Sequence, residues 1–288
     1  MRQASPTNVG GSHVVAAAGG RSDTQLVTRV HVEVFGTGEP AVFVHGSFGW
    51  GLETFFPQRE LADRYQIHLL DRAGYGGSPP AEQIGWPTDM HDVADVLGSL
   101  ERAHLVGQSY GGVVALLAAG LRPECVRSLV VVEPPLFGAA PQDSGAAALA
   151  ESLRLLEKRA ESEDTVGYFA DFGRTVLNRD PAGAEALTGS WSDRDWAAAE
   201  SSRLERSPVD APVSFDVLAD LPVPKVVAVG GWPQDLTSSP AAGAAFRAVA
   251  ETVAARIGAD LVVFDRSTHN PQLQQPDEFN DLLRRLWA

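Results

Sequence analysis

The sequence has little cysteine and little positive charge. Its 288 residues include a single cysteine, Cys125, so no disulfide bond can form within the chain. This is compatible with a reducing compartment, and we expect a cytoplasmic protein. Lysine and arginine number 23 against 37 acidic residues, which gives a formal net charge of −14. Because nucleic acids and anionic membranes bind basic patches, neither is an expected partner.

Long apolar runs are also missing. No run approaches the ~18 residues of a membrane span, and no internal repeat is evident. Small and polar side chains dominate residues 1–25, and we expect a flexible tail there. The apolar run at 14–18 has only five residues, fewer than the ~7–15 of a signal-peptide core. Folded structure is therefore expected from residue 26 onward.

Short apolar runs alternate with amphipathic segments along most of the chain. Helical spacing of apolar residues follows most of these runs, for example at Leu52, Phe55, Phe56 and Leu61. The alternation predicts an α/β fold, with a mostly parallel sheet and helices on both faces. The predicted strands are 27–35, 41–44, 67–70, 103–106, 129–132, 224–229 and 261–264.

The motif Gly107-x-Ser109-x-Gly111 joins the fourth predicted strand to a helix. Glycine at 107 and 111 allows strand and helix to cross closely, because no Cβ atom stands between them. Ser109 would then lie strained at the tip of the turn with its hydroxyl exposed. The backbone N–H of Tyr110, at the helix N-terminus, could bind a developing oxyanion. A serine in a tight glycine turn without a catalytic role is the alternative.

Residues 138–221 interrupt the alternation. An insertion between two strands, at the sheet end where Ser109 emerges, predicts a helical cap, or lid, over the site. The α/β core would then comprise 26–137 and 222–288. A separate helical domain with its own partner is the alternative. Helices are predicted by the spacing of Leu149, Leu153 and Leu156, by Val166, Phe169, Phe172 and Val176, and by a capping box at Ser192 and Asp195.

Several motifs occur in an order that resembles the α/β-hydrolase fold superfamily. They are His45-Gly46, the glycine-rich loop at 71–78, the motif around Ser109, and a late His269. The resemblance covers roughly 25–137 and 222–288, with the insertion where that family carries its cap. It implies a serine–acid–histidine triad in that chain order, with no cofactor and no metal.

A serine hydroxyl is a poor nucleophile at neutral pH and needs a base to accept its proton. Histidine suits this role because its ordinary pKa is about 6.5. His269 is the best of the seven histidines, since it lies just beyond the last predicted strand, at the same sheet edge as Ser109. A loop histidine that caps a helix is the alternative.

Two residues compete for the acid of the triad. Most members of the family carry it after the strand that follows the cap, where Asp235 would serve. Here Trp232-Pro233 replaces the usual short turn. Glu133 directly follows three valines on the strand beside the nucleophile strand. A minority branch, which includes haloalkane dehalogenases and some lactone hydrolases, has its acid at this place, and we predict Glu133 with Asp235 as the alternative.

The loop after His45-Gly46 is expected to complete the oxyanion hole. Tyr110 would supply one N–H, and Ser47 or Phe48 the second. The Ser47 hydroxyl is expected to bond locally in its turn.

Arg72 is interpreted as structural rather than as an anion site. An apolar pocket is predicted from Trp50, Leu136, Phe137 and Trp191.

A serine nucleophile predicts hydrolysis of a carboxylic ester or lactone through an acyl-enzyme. The expected substrate is a hydrophobic, neutral small molecule, and the chain is expected to act as a monomer or homodimer. Non-hydrolytic chemistry on the same triad stays open: acyl transfer, cleavage of a C–C bond, or elimination. A non-catalytic ligand-binding protein is the third possibility.

Overall fold

The computed structural model describes residues 29–160, 162–177, 188–236 and 239–288. The expected tail at 1–25 lies outside these ranges. Within them, seven strands form one sheet. They are β1 (Val32–Phe35), β2 (Glu39–Val44), β3 (Tyr65–Leu70), β4 (Ala103–Gln108), β5 (Val126–Val132), β6 (Lys225–Gly230) and β7 (Asp260–Phe264).

The strand order in the described sheet is β1-β3-β2-β4-β5-β6-β7. β1 runs antiparallel to β3, and every other neighbouring pair is parallel. The predicted α/β fold with a mostly parallel sheet is therefore confirmed. Because the connections are crossovers, the carboxyl ends of β2 to β7 meet at one edge of the sheet.

Helices follow most strands. The described α-helices are α1 (Gly51–Thr54), α2 (Trp86–Ser99), α3 (Tyr110–Leu121), α4 (Ser144–Ala160), α5 (Thr165–Leu177), α6 (Asp193–Leu204), α7 (Phe215–Asp220), α8 (Pro240–Ile257), α9 (Pro271–Gln274) and α10 (Pro276–Trp287). Three 3₁₀ helices span Phe56–Asp63, Pro123–Cys125 and Phe137–Ala139 in the same ranges.

The core lies on both faces of the sheet. On β2, Val42 and Val44 belong to one buried cluster, whereas Ala41 and Phe43 belong to the other. The first cluster includes apolar residues of α2, α3 and α8, and the second includes residues of the 3₁₀ helix at 56–63 and of α10. A strand buried on both faces needs apolar residues at successive positions, which explains the continuous runs in the sequence.

Two predicted elements differ from the structure. The helix expected at 52–61 is a short α1 followed by the 3₁₀ helix Phe56–Asp63. Pro57 lies at the start of that 3₁₀ helix and has no N–H to donate, so a continuous α-helix cannot run through it. The first strand begins at Val32 rather than at 27, and residues 27 and 28 lie outside the described ranges.

The described residues of 138–221 form helices and no strand. α4 packs against α8 of the core and against α5 and α6 of the insertion, while α7 packs against α3 and α8. Ser192 caps α6 in the predicted capping box with Asp195. Residues 161 and 178–187 of the insertion lie outside the described ranges. Its role as a cap stays a prediction.

Two buried histidines make stability depend on pH. Burial lowers the pKa of His68 to about 4, and burial lowers the pKa of His104 to about 4 as well. The unfolded chain takes up these protons near pH 6.5, which the folded chain does only near pH 4. The unfolded state therefore binds more protons in this window, and stability falls as the pH drops from about 6.5 to about 4.

We expect the thermal midpoint to fall over that pH range and His68→Gln to flatten the slope. Thermal melts at half-unit pH steps measure it, with the exposed His91→Gln as the control for loss of one histidine. An unchanged slope in His68→Gln would show that the acid loss arises elsewhere.

Candidate active site

The turn around Ser109 has the geometry of a nucleophile elbow. β4 ends at Gln108, α3 begins at Tyr110, and Ser109 between them has φ 52° and ψ −122°. A Cβ atom at Gly107 would lie 2.3 Å from the carbonyl oxygen of Gly111. One at Gly111 would lie 2.1 Å from the carbonyl oxygen of Val44. Both glycines are therefore required by close backbone contact, as the sequence suggests.

Ser109, His269 and Glu133 are joined by hydrogen bonds. The Ser109 Oγ lies 2.9 Å from His269 Nε2, and His269 Nδ1 lies 2.6 Å from Glu133 Oε2. The three residues follow β4, β7 and β5 respectively, so the parallel sheet brings them to its carboxyl edge. This arrangement can pass a proton from a hydroxyl to an imidazole that a carboxylate orients.

The Glu133 carboxylate is completely buried and fully bonded. Its Oε1 accepts hydrogen bonds from the Gly230 backbone N–H and the Trp232 indole N–H, both at 2.8 Å, while Oε2 faces His269. Burying a carboxylate without partners would be costly, so these donors are what allow it to lie here. Glu133 has φ 45°, which is uncommon for a residue with a side chain.

Asp235 lies elsewhere. It is exposed in the loop after β6. At the end of β6, where the resemblance places the acid in most members, Trp232 lies buried and donates to Glu133. Among the described residues, Glu133 is the one carboxylate in hydrogen-bond contact with His269. The departure from the usual turn at Trp232-Pro233 was the signal of this arrangement in the sequence.

Two residues beside Ser109 have backbone N–H groups that are candidates for oxyanion donors. Both Ser47 and Tyr110 line the cleft, and nothing in the described part of the chain accepts a hydrogen bond from either backbone N–H. The Phe48 N–H is already used, because it donates to Ser202 Oγ at 2.7 Å. Phe48 is thus unsuitable as an oxyanion donor, and Ser47 is the better candidate.

The Ser47 hydroxyl does not bond within its own turn. It donates instead to Glu205 Oε2 at 2.5 Å, on the segment that follows α6. The hydroxyl is therefore bonded to the insertion, and only the Ser47 backbone N–H is left for a substrate oxygen.

The cleft has a volume of about 650 Å³, part of it open to solvent. Most of its wall is apolar, and residues of α4, α5 and the segment after α6 contribute one side. The lining residues are Ser47, Ser109, Tyr110, Pro135, Phe137, Leu153, Leu156, Glu157, Tyr168, Phe172, Val176, Glu205, Arg206, Ser207, Pro208, Phe246 and His269.

Of the four residues predicted to line an apolar pocket, the structure places Phe137 at the cleft and the other three elsewhere. Leu136 is buried in the core. Trp50 lies under the Arg194 guanidinium, 5.3 Å from its ring centroid. Trp191 packs on other aromatic rings of the insertion, at 4.9 Å from both Phe169 and Trp196. None of these three described residues lines the cleft, because each is covered by its own neighbours instead.

Arg72 lies completely buried beneath the site. Its guanidinium bonds Asp89 at 2.8 Å and Glu205 at 2.5 Å, which agrees with a structural role. Burial opposes its charge, but Glu205, Tyr75, Asp89 and Tyr110 together outweigh burial and raise the pKa of Arg72 above its ordinary range. Its backbone N–H donates to His45 Nε2, and burial together with Arg72 lowers the pKa of His45 well below its usual value.

Sequence reasoning missed the cleft residues of the insertion. Glu157, Tyr168 and Glu205 are three of them. Nothing local in the sequence separates Glu205 from the exposed carboxylates of α6, because its burial arises only when the insertion packs on the core.

Among the described residues, no cluster of His, Cys, Asp or Glu could hold a metal ion. None of the described helices has both the length and the apolar character needed to cross a membrane.

Comparison with known proteins defines the class. The model of the alpha/beta hydrolase family matches residues 41–282, and the chain belongs to this family. The pimeloyl-acyl-carrier-protein methyl ester esterase of Aeromonas hydrophila is 38% identical over 126 residues, covering 41% of this chain and 47% of that protein. The match thus spans about half the length of that relative.

Two further proteins resemble the chain over more of its length. The dihydrolipoyllysine-residue acetyltransferase component of the acetoin cleaving system of Cupriavidus necator is 28% identical over 97% of this chain and 72% of that protein. A thermophilic esterase from Thermogutta terrifontis has a similar structure, with TM-score 0.64, 24% identity, and coverage of 89% of this chain and 92% of that one. The likeness to this esterase shows the fold alone.

Proposed function

We propose that this protein is a serine hydrolase that cleaves a carboxylic ester or lactone of a hydrophobic small molecule. The observation that carries the proposal is the hydrogen-bond chain from Ser109 through His269 to Glu133 at the wall of an apolar cleft. A serine hydroxyl so placed can attack a carbonyl carbon, and the products follow from acyl transfer to water.

In the proposed mechanism, His269 Nε2 accepts the Ser109 proton as the hydroxyl attacks the carbonyl carbon. Glu133 stabilises the imidazolium that forms and keeps Nδ1 protonated. The carbonyl oxygen, now negative, accepts hydrogen bonds from the Tyr110 and Ser47 backbone N–H groups. His269 returns the proton to the leaving alcohol, and water then releases the acyl group by the same route.

The cleft favours a neutral, apolar acyl group. Leu153, Leu156 and Phe172 form part of its wall, so alkyl or aryl groups would be desolvated there. Glu157 and Arg206, which have opposite charges, also line the cleft, and Glu205 is paired with Arg72. A carboxylate on the substrate would therefore be disfavoured chiefly because it loses its hydration against the apolar wall. The Aeromonas relative is named as a methyl ester esterase, which agrees with an ester substrate.

The test is a panel of p-nitrophenyl esters and lactones, run in water enriched in ¹⁸O. We expect turnover of butyrate and hexanoate esters, kcat/KM at least about tenfold lower for a hemisuccinate ester, and one ¹⁸O in the released acid. Mass spectrometry of the products measures the incorporation. Transfer of the acyl group to an added alcohol in preference to water, with little ¹⁸O-labelled acid formed, would favour non-hydrolytic chemistry. Binding of these molecules without any turnover would favour a ligand-binding protein.

A further inference from the structure

Glu205 connects the insertion to the loop that carries the proposed oxyanion donor. It follows α6 directly, and only 6% of its side chain is exposed. Its Oε2 accepts from the Ser47 hydroxyl at 2.5 Å. Its Oε1 accepts from the Arg72 guanidinium at 2.5 Å and from the Tyr75 hydroxyl at 2.6 Å. Both carboxylate oxygens are thus bonded to residues of the core.

A second contact from α6 holds the next residue of the same loop. Ser202 Oγ accepts from the Phe48 N–H at 2.7 Å and lies 3.1 Å from the Tyr75 hydroxyl. Phe48 has φ 63°, in the left-handed region that residues with a side chain seldom adopt. Such a conformation persists only where surrounding contacts hold it, and Ser202 provides one of them.

Arg72 ties the start of the loop to the same carboxylate. Its guanidinium donates to the carbonyl oxygens of His45 at 3.1 Å and Gly46 at 3.0 Å, as well as to Glu205. The residues on both sides of the Ser47 N–H are therefore fixed through groups that contact Glu205 or Ser202. Contacts with the insertion thus hold this loop on both sides of Ser47.

We propose that Glu205 is a positioning residue, which aligns the Ser47 backbone N–H for the oxyanion and completes the oxyanion hole only when the insertion is docked on the core. This inference rests on the proposed hydrolase function. Glu205 does not itself touch the reacting atoms in this scheme. It acts through the Ser47 hydroxyl and through Arg72, and misplacement of a positioned group by about 1 Å can cost about 10²-fold in rate.

The test compares kcat and KM of Glu205→Ala and Glu205→Gln on the best neutral p-nitrophenyl ester, with active sites counted by titration. Loss of one oxyanion donor lowers kcat by about 10²–10³-fold, and partial misalignment in Glu205→Ala is expected to lower it by about 10–100-fold with a smaller change in KM. Glu205→Gln retains one acceptor oxygen, and its kcat should lie between those of Glu205→Ala and the wild type. Glu200→Gln is the matched control, because this carboxylate of α6 bonds only Arg203 and Thr165 of the insertion among the described residues. Its kcat should stay within about twofold of the wild type.

Ser47→Ala keeps the backbone N–H but removes the bond to Glu205. The inference predicts a lower kcat in this variant. It also predicts that the double variant with Glu205→Ala has a kcat only slightly below that of the less active single variant. An unchanged kcat per active site in both single variants, even with a lower melting temperature, would overturn the inference and leave the hydrolase function standing. A wild-type protein without ester turnover would overturn both.

Discussion

Replacing Ser109 with alanine is expected to lower kcat on a p-nitrophenyl ester by about 10⁴–10⁶-fold. Without the hydroxyl no acyl-enzyme can form, and the two N–H groups at Ser47 and Tyr110 alone can only assist attack by water. KM should change little, because the apolar wall of the cleft is untouched. Steady-state kinetics of the variant and the wild type, each corrected for ester hydrolysis in the absence of protein, gives the ratio of the two kcat values.

The fold should survive this substitution. Alanine and serine have similar tolerance for the positive φ of the elbow, and among the described residues the Ser109 side chain forms a hydrogen bond only with His269. A melting temperature close to that of the wild type is the control. A Ser109→Ala variant that retains turnover within tenfold of the wild type would show that another group performs the attack.

Glu133→Gln is expected to lower kcat by about 10⁴-fold while the chain stays folded. The glutamine Oε1 can still accept from Gly230 and Trp232, so the buried hydrogen bonds on that side persist. Its amide NH₂ then faces His269 Nδ1 and favours the tautomer with the proton on Nε2. That nitrogen can no longer accept the Ser109 proton, so catalysis fails without disruption of the site.

Asp235→Asn is the matched control for the acid. It makes the same carboxylate-to-amide change on the exposed loop after β6, and kcat should stay within about twofold of the wild type. Comparison of the two variants at equal concentrations of folded protein decides between the two acids. A large loss in Asp235→Asn, with Glu133→Gln still active, would reverse the assignment.

The parts of the site predicted from sequence are those fixed by short-range constraints. Gly107 and Gly111 are required by backbone contacts within a few residues of Ser109 and against β2. The G-x-S-x-G motif makes this requirement visible in the sequence. Glu133 was a candidate because a carboxylate directly after a buried strand must find donors. In the structure it finds them in Gly230 and Trp232.

The parts that sequence reasoning missed depend on how the insertion docks. The sequence suggests Trp50 for the pocket because it lies beside the His45-Gly46 loop, and Trp191 because it lies in the predicted cap. In the structure Trp50 packs under Arg194 and Trp191 packs on Phe169, both outside the cleft. Phe48 is a candidate donor from sequence, but in the structure its N–H donates to Ser202 Oγ, 154 residues away in the chain. Contacts between residues so far apart produce no local pattern in the sequence. Helical spacing in 138–221 predicts helices but does not predict which core residues they contact.

The most direct test of the central claim is reaction with a fluorophosphonate probe, followed by mass-spectrometric mapping of the adduct. A serine activated by His269 and Glu133 should be labelled stoichiometrically at Ser109, and the rate should fall in Glu133→Gln but not in Asp235→Asn. Absence of an adduct, or an adduct on another serine with Ser109 unmodified, would contradict the account.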